Sequence, residues 1–364
     1  MRSSNRAHPH SVRWRVVLGL SVLTAVAALG AAIGTGQSEG LSVRVVGNTL
    51  VDAENRPLRL LGVNRSGAEY ACVSPPEHRL HAFAGPTGVQ AIAAMTAWRI
   101  NAVRVPLNED CWLGINGAPR RSTGAEYRAG VARYVARLHK VGLYVVLDLH
   151  WSAPGTTRAV GQREMADLDH APAFWRSVAS TFKDDPAVVF DVYSEPHAIS
   201  WACWRDGCRL PEGWSAAGMQ TLVDAVRSTG ARQPIIVTGS DWGTDLSGWL
   251  AHRPHDPARQ LAAGVHLYDF TACRSVRCWH RTISPVARVV PVVASEVGER
   301  ACSGKFIGRF LDWADARGIS YLGWGWNPAD CGAPSLIRSW DGQPTVSGTV
   351  FRDHLVAQSD RPRP

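Results

Sequence analysis

The chain has 364 residues, 45% of them hydrophobic and 19% charged, a balance that suits a globular protein with a sizeable core and argues against a disordered or fibrous one. Its formal charge of +8 is inflated at the N-terminus, where Arg2, Arg6, Arg13 and Arg15 meet only Glu39 among acids. The mildly basic remainder is dispersed and forms no Lys/Arg run, so a nucleic-acid stripe is not expected.

The first forty residues read as a targeting segment. A basic start leads into "VVLGLSVLTAVAALGAAI" (16–33), which carries no charge and is followed by small residues. Residues 1–40 are therefore expected to be a cleaved signal peptide, with a retained single membrane anchor as the alternative. Either places the body, 41–364, outside the cytoplasm, secreted or held at the outer face of the membrane. The 8 cysteines agree with export. Favouring short loops pairs Cys72 with Cys111, Cys203 with Cys208, Cys273 with Cys278 and Cys302 with Cys331. Zinc is the rival, but neither Cys-x4-Cys ("CWRDGC", "CRSVRC") has a histidine at finger spacing.

"VRVVGNTLVD" then predicts a hairpin turning on Gly47-Asn48. Beyond it, short apolar runs recur: "LRLLGVN" (58–64), "AVRVPL" (102–107), "YVVLDLHW" (144–151), "VVFDVYSE" (188–195), "PIIVTGS" (234–240), "AGVHLY" (263–268), "PVVASE" (291–296) and "ISYLGW" (319–324). Most lack polar alternation at their centres, as strands covered on both faces should. Amphipathic stretches separate them: "VQAIAAMTAWRI", "EYRAGVARYVARLHKVG", "APAFWRSVASTF", "AAGMQTLVDAVRSTG" and "FIGRFLDWADARG". Gly142, Gly230 and Gly318 stand where helix C-caps belong. The fifth and sixth helices are poorly marked. Strands alternating with helices in this way predict one (β/α)8 barrel, a TIM barrel, with the hairpin plugging its floor. An open doubly wound sheet is disfavoured because "GVNRSGAEYAC" lacks the G-x-G-x-x-G spacing of a dinucleotide site.

In such a barrel the strand C-termini face the active site. Here they present Asn64 and Arg65, Arg104, Asp148 and His150, Glu195, Asp241, His266 and Tyr268, Glu296, and Trp324. Pro196 cannot continue a ladder, so the fourth strand is expected to stop with Glu195 at its rim. Glu195 and Glu296 end strands that nearly face each other across the mouth. Paired carboxylates so placed point to glycosidic bond cleavage; two structural carboxylates held by Arg104 and a histidine are the alternative. A metal centre of His266, His150 and Asp148 is a further option, though the chemistry needs no metal or cofactor. Trp112, Trp151, Trp201, Trp204, Trp242, Trp279, Trp324 and Trp326 follow strand ends and are expected around the mouth, where indoles stack on sugar rings. Trp98, Trp175, Trp249 and Trp313 look like core residues on helix faces. The chain has 15 tryptophans in all, and a rim so rich in them fits a polymer better than a monosaccharide.

These motifs together resemble the glycoside hydrolases of family five, the cellulase-type retaining β-glycanases, over roughly residues 43–355. "VRVPLN" would supply Arg104, "LDLHW" His150, "HLY" the pair His266 and Tyr268, and "YLGWGWNP" Trp324 as the platform beneath the reacting sugar. "YSEP" takes the place of Asn-Glu-Pro, which implies Glu195 as acid/base, and "ASEVGE" implies Glu296 as nucleophile. The departure is Ser194, where the family's asparagine bonds the 2-hydroxyl of the sugar. The resemblance implies Arg104 and Tyr268 as partners of Glu296, with His150 and His266 orienting hydroxyls or tuning Glu195. Trp151 and Trp326 join Trp324 as candidate sugar contacts. The expected protein is a monomeric, exported hydrolase of β-linked glycans, β-1,4-glucan first among them, with a glycan binder that has lost turnover as the alternative.

Overall fold

The structure, a computed structural model, describes residues 40–73, 81–119 and 122–359. The expected targeting segment lies outside the described residues. Among the described residues no helix is long and apolar enough to cross a membrane.

Eight parallel strands close into a barrel in chain order: Leu61–Asn64, Ala102–Asn108, Tyr144–Trp151, Val188–Asp191, Ile235–Thr238, Leu261–Tyr268, Val292–Gly298 and Ser320–Gly323. The eighth pairs back onto the first through Tyr321 and Leu61, so no sheet edge is left open. Six of the eight are buried at every position, and in the other two only Leu61 and Trp151 are half-buried, which is why their centres run largely apolar without alternation. The fourth strand is shorter than its sequence implied. It ends at Asp191, and Glu195 sits beyond it on a segment still tied in by Val192 N–H to Ile236 O and Ser194 N–H to Leu149 O.

Helices Val89–Ala97, Ala125–His139, Ala171–Phe182, Gly218–Arg227 and Lys305–Asp315 cover the barrel where the periodicity placed them. Gly142, Gly230 and Gly318 have φ of 84°, 85° and 65°, the left-handed conformation that ends a helix cheaply only with glycine. The two poorly marked crossovers are irregular in fact. After strand five there is one turn, Trp249–His252; after strand six come Val276–Cys278, a π-helical stretch Trp279–Ile283, and Ser284–Ala287 with Pro285 in its first turn.

The hairpin Arg44–Val46/Thr49–Val51 turns on Gly47-Asn48 and closes the barrel floor. Its Leu50 packs with Val43 onto Leu60, Val146, Val189, Ile236 and Val293, the lowest layer of inward side chains. At the opposite end the loops are stapled by four disulfides with the expected pairing. Cys72–Cys111 links the loops after strands one and two, and Cys302–Cys331 those after strands seven and eight.

Candidate active site

Strand register decides which polar groups meet. Asn64 is opposite Arg104 on strands one and two, Asp148 opposite Asp191 on strands three and four, and His266 opposite Glu296 on strands six and seven. Partners in register point to the same face, here the barrel interior. All six are buried. Arg104 ties them together. Its Nε donates to Asp191 Oδ2 at 2.9 Å, and Nη1 to Asn64 Oδ1 at 2.9 Å and Glu296 Oε1 at 2.8 Å. Nη2 donates to Ser194 Oγ at 3.0 Å and lies 3.1 Å from Asp148 Oδ2. Burial opposes charge on this guanidinium, but Asp148, Asp191 and Glu296 more than offset it and hold its pKa above the ordinary value. One cation cannot balance three carboxylates. Burial accordingly pushes Asp148 and Asp191 up to about 7, although Arg104 pulls both the other way.

Glu296 is aimed by two donors, Arg104 at Oε1 and the Tyr268 hydroxyl at Oε2, 2.5 Å away. Burial and the charge of Glu296 push the Tyr268 phenol well above its usual value, so it keeps its proton and donates. His266 Nδ1 stands between the glutamates, 3.0 Å from Glu195 Oε1 and 3.4 Å from Glu296 Oε2. Burial pushes this imidazole down to about 3, so the ring is neutral, and two facing acceptors place its single proton on Nδ1. Burial also raises the Glu195 carboxyl. The two glutamates differ in access: the Glu195 side chain is 18% exposed and that of Glu296 3%. The more open one can exchange protons with a departing group and with water.

A cleft of about 580 Å³ opens above them, lined among others by His150, Glu195, Glu296, Tyr268 and Trp324. His150 Nδ1 is 2.7 Å from Asp148 Oδ2, and its ring stacks on Trp324 with centroids 5.3 Å apart. Of the other expected contacts, Arg104, Ser194 and His266 are fully buried beneath the cleft and line none of it; Arg104 and His266 contact the glutamates directly, and Ser194 contacts Arg104. Trp151 is half-buried beside Tyr70 and lies outside the lining.

Trp326 is a correction. It is fully buried, packed edge-on against Trp98 with centroids 4.8 Å apart. Trp112, Trp204 and Trp279 are buried likewise, their indole N–H groups donating to Ser177 Oγ, Thr238 O and Cys273 O. Each follows a strand end, yet the segment carrying it turns the ring back onto the barrel wall. Trp98, Trp175, Trp249 and Trp313 are in the core as read. Trp242 lines the cleft as expected, 46% exposed and stacked face to face on His197 at 3.6 Å, and the cleft also gains Phe270, 45% exposed and stacked on Tyr268. Gln162 and Asp241 also line it. Gln162 and Phe270 carry no motif, and their loops gave no signal beyond lying after a strand end.

The metal alternative of His266, His150 and Asp148 is not assembled, because His150 bonds Asp148 while His266 turns to the glutamates. Among the described residues, Glu195, His266 and Glu296 do bring ligand-type atoms within 4.8 Å of one another. Both Glu296 oxygens are already taken by Arg104 and Tyr268, and the guanidinium supplies the positive charge at that carboxylate. All eight cysteines are disulfide-bonded, so none is left for zinc.

The family model "Cellulase (glycosyl hydrolase family 5)" matches residues 52–330. A mannan endo-1,4-beta-mannosidase of Streptomyces lividans is 24% identical over 344 residues, spanning 89% of this chain and 78% of the relative. Endoglucanase MaCel5A of a Microbulbifer strain is 22% identical across 80% of this chain, which spans only 54% of that protein. Among solved structures, a beta-glucanase of Saccharophagus degradans superposes with a TM-score of 0.70 at 20% identity, covering 88% of this chain and 94% of its own. At that identity the superposition speaks for the fold.

Proposed function

The chain belongs to glycosyl hydrolase family 5, and from that premise we propose that it is an exported, retaining endo-β-glycanase with Glu296 as nucleophile and Glu195 as acid/base. The observation that carries the reading is the shared contact of both glutamates with His266 Nδ1, which keeps a carboxylate oxygen of one within 4.8 Å of the other. A retaining pair needs its carboxyl groups about 5–5.5 Å apart, whereas an inverting pair stands roughly 6.5–9.5 Å apart to admit a water.

A Glu296 oxygen attacks the anomeric carbon as the glycosidic C–O bond breaks, and Glu195 gives its proton to the departing oxygen. Water then enters from the Glu195 side, loses a proton to that carboxylate and attacks the same carbon. The sugar leaves Glu296 with its configuration kept. The burial that raises Glu195 supplies the proton for the first step, and the Arg104 and Tyr268 donors hold Glu296 on line. Trp324, backed by His150, offers a platform for the reacting sugar; Trp242 and Phe270 offer apolar faces further along the cleft. Such an extended aromatic cleft favours internal attack on a polymer, and β-1,4-glucan is the substrate proposed. The relatives' names divide between glucan and mannan, so both belong in the test. Four disulfides and the basic, apolar first forty residues support export.

The test is a reducing-end assay on soluble β-glucans and mannans, wild type beside Glu296→Gln, with the first product's anomer followed by NMR. Retention in the wild type and loss of turnover in the variant are expected. Inverted product would overturn the mechanism. Equal inactivity of both, with oligosaccharide binding kept, would leave a glycan-binding protein.

A further inference from the structure

Ser194 stands next to the proposed acid/base, where an amide could reach the sugar, but its hydroxyl is spent elsewhere. It is fully buried, accepts from Arg104 Nη2 at 3.0 Å and does not line the cleft. The site therefore lacks an amide donor at that position. Gln162, on the loop after the third strand, is the one amide side chain among the residues lining the cleft.

Its surroundings suit a ligand contact better than a structural one. The sole side-chain hydrogen bond of Gln162 among the described residues is a long one, Nε2 to His150 Nε2 at 3.4 Å, and Oε1 is buried without a partner. A glutamine that stapled the loop would satisfy both ends of its amide. The loop is already held by other groups. Arg163 N–H donates to the Tyr193 hydroxyl, which donates in turn to Arg163 O at 2.8 Å, and His197 N–H donates to Glu164 O at 3.0 Å. Tyr193 and His197 each lie two residues from Glu195, so the backbone around Gln162 is fixed relative to the acid/base.

Proton bookkeeping fixes which way the amide works. Asp148 Oδ2 lies 3.1 Å from the Arg104 guanidinium, whose charge favours the carboxylate, so at 2.7 Å it accepts from His150 Nδ1–H. That leaves His150 Nε2 as a lone-pair acceptor facing Gln162. The Gln162 nitrogen must then be the atom on that side, spending at most one of its two N–H bonds on the imidazole. The second remains, held at a cleft wall shared with His150, Glu195 and Trp324.

We infer that Gln162 is a substrate-contacting residue, donating this second N–H to the 2-hydroxyl of the reacting sugar and supplying the amide contact that Ser194 cannot make. C2 adjoins the carbon between the two glutamates, and a bond to its hydroxyl strengthens as positive charge develops there. Because gluco and manno sugars differ in the orientation of that hydroxyl, Gln162 also sets the preference between glucan and mannan. The inference rests on the hydrolase reading above.

The experiment compares wild type, Gln162→Ala and the isosteric Gln162→Glu on 4-nitrophenyl β-cellobioside and on its analogue deoxygenated at C2 of the reacting sugar. With the normal substrate, both variants should lose about 10- to 100-fold in kcat/KM, mostly in kcat. With the deoxy analogue they should match wild type within about threefold. Equal losses on both substrates, or no loss on either, would overturn the assignment. Agreement between the alanine and glutamate variants separates loss of the donor from loss of packing. If the wild type turns over no glycoside, the hydrolase reading is what has failed. Cellotriose affinity by calorimetry then tests the contact itself: weaker binding by Gln162→Ala supports it, and unchanged affinity refutes it.

Discussion

Replacing Arg104 with methionine tests the electrostatic frame on which the site is built. The side chain is fully buried and meets Asp148, Asp191 and Glu296 at 3.1, 2.9 and 2.8 Å. Methionine keeps much of the stem's volume and removes the one cation that, among the described residues, contacts all three. Breaking a buried ion pair by deleting one partner costs about 3–5 kcal/mol, because the surviving charge stays buried and unpaired. Against a typical total of about 5–15 kcal/mol this is a severe but survivable loss.

Its pH dependence identifies the cause. Asp148 and Asp191 have folded pKa values raised from 3.8 to about 7, so between those pH values the folded state holds protons that the unfolded chain has released. The contribution of these groups to stability therefore falls as pH rises from about 4 to about 7, at roughly 1.4 kcal/mol per pKa unit for each group. Removing Arg104 takes away the influence that lowers both, which extends that decline to higher pH. Urea unfolding of Arg104→Met, followed by tryptophan fluorescence with disulfides intact, should show a loss of about 3–5 kcal/mol at pH 8 and a clearly smaller one at pH 5, where the carboxyls are protonated. A loss below about 1 kcal/mol, or the same loss at both pH values, would refute this account.

Three further outcomes follow from the same contacts. Glu195→Ala should lose about 10²–10⁴-fold on oligosaccharides yet little on a dinitrophenyl glycoside, whose leaving group needs no proton; in the wild type, kcat/KM should fall on the alkaline side as pH rises through the raised pKa of Glu195. Comparable losses on both substrates would remove Glu195 from the acid role. Tyr268→Phe deletes a hydrogen bond to a charged acceptor, worth about 1.5–3 kcal/mol, so kcat on cellotetraose should drop about 10- to 100-fold with the fold intact by circular dichroism. Unchanged turnover would mean that the phenol does not steady Glu296. Glu109 is buried against Asp167, and burial raises its pKa well above normal, so its contribution to stability declines as pH rises above 4.5. Glu109→Gln, permanently neutral, should raise the melting temperature at pH 8 more than at pH 5, and an equal shift at both would contradict the buried-carboxyl argument.

The barrel was readable because its evidence is local. A doubly covered strand must be largely apolar, a crossover helix must carry an apolar stripe, and a left-handed C-cap favours glycine; those demands fall on contiguous residues such as 144–147 and on Gly142. The two crossovers that resisted reading, after strands five and six, are also the irregular ones. The disulfide pairs followed from short separation. Glu195 and Glu296 stood out as charges at the ends of apolar runs, where burial without a purpose would be costly.

Other features depend on groups brought together from distant parts of the chain. Trp326 and Trp324 are two residues apart, yet one packs on Trp98 and the other faces the cleft, because the direction of a ring is set by the segment's path over the barrel. Asp148 and Asp191 share Arg104 only through strand register. Gln162 looked like any loop glutamine until folding set its amide beside His150 and the backbone around it against Tyr193 and His197. The sequence by itself determined the strands' order and approximate extents and singled out the two carboxylates that follow apolar runs, since these follow from short-range sterics and burial. Tertiary structure alone decided which side chains line the cleft, since a hydrogen bond depends on positions within a few tenths of an ångström that no local pattern encodes.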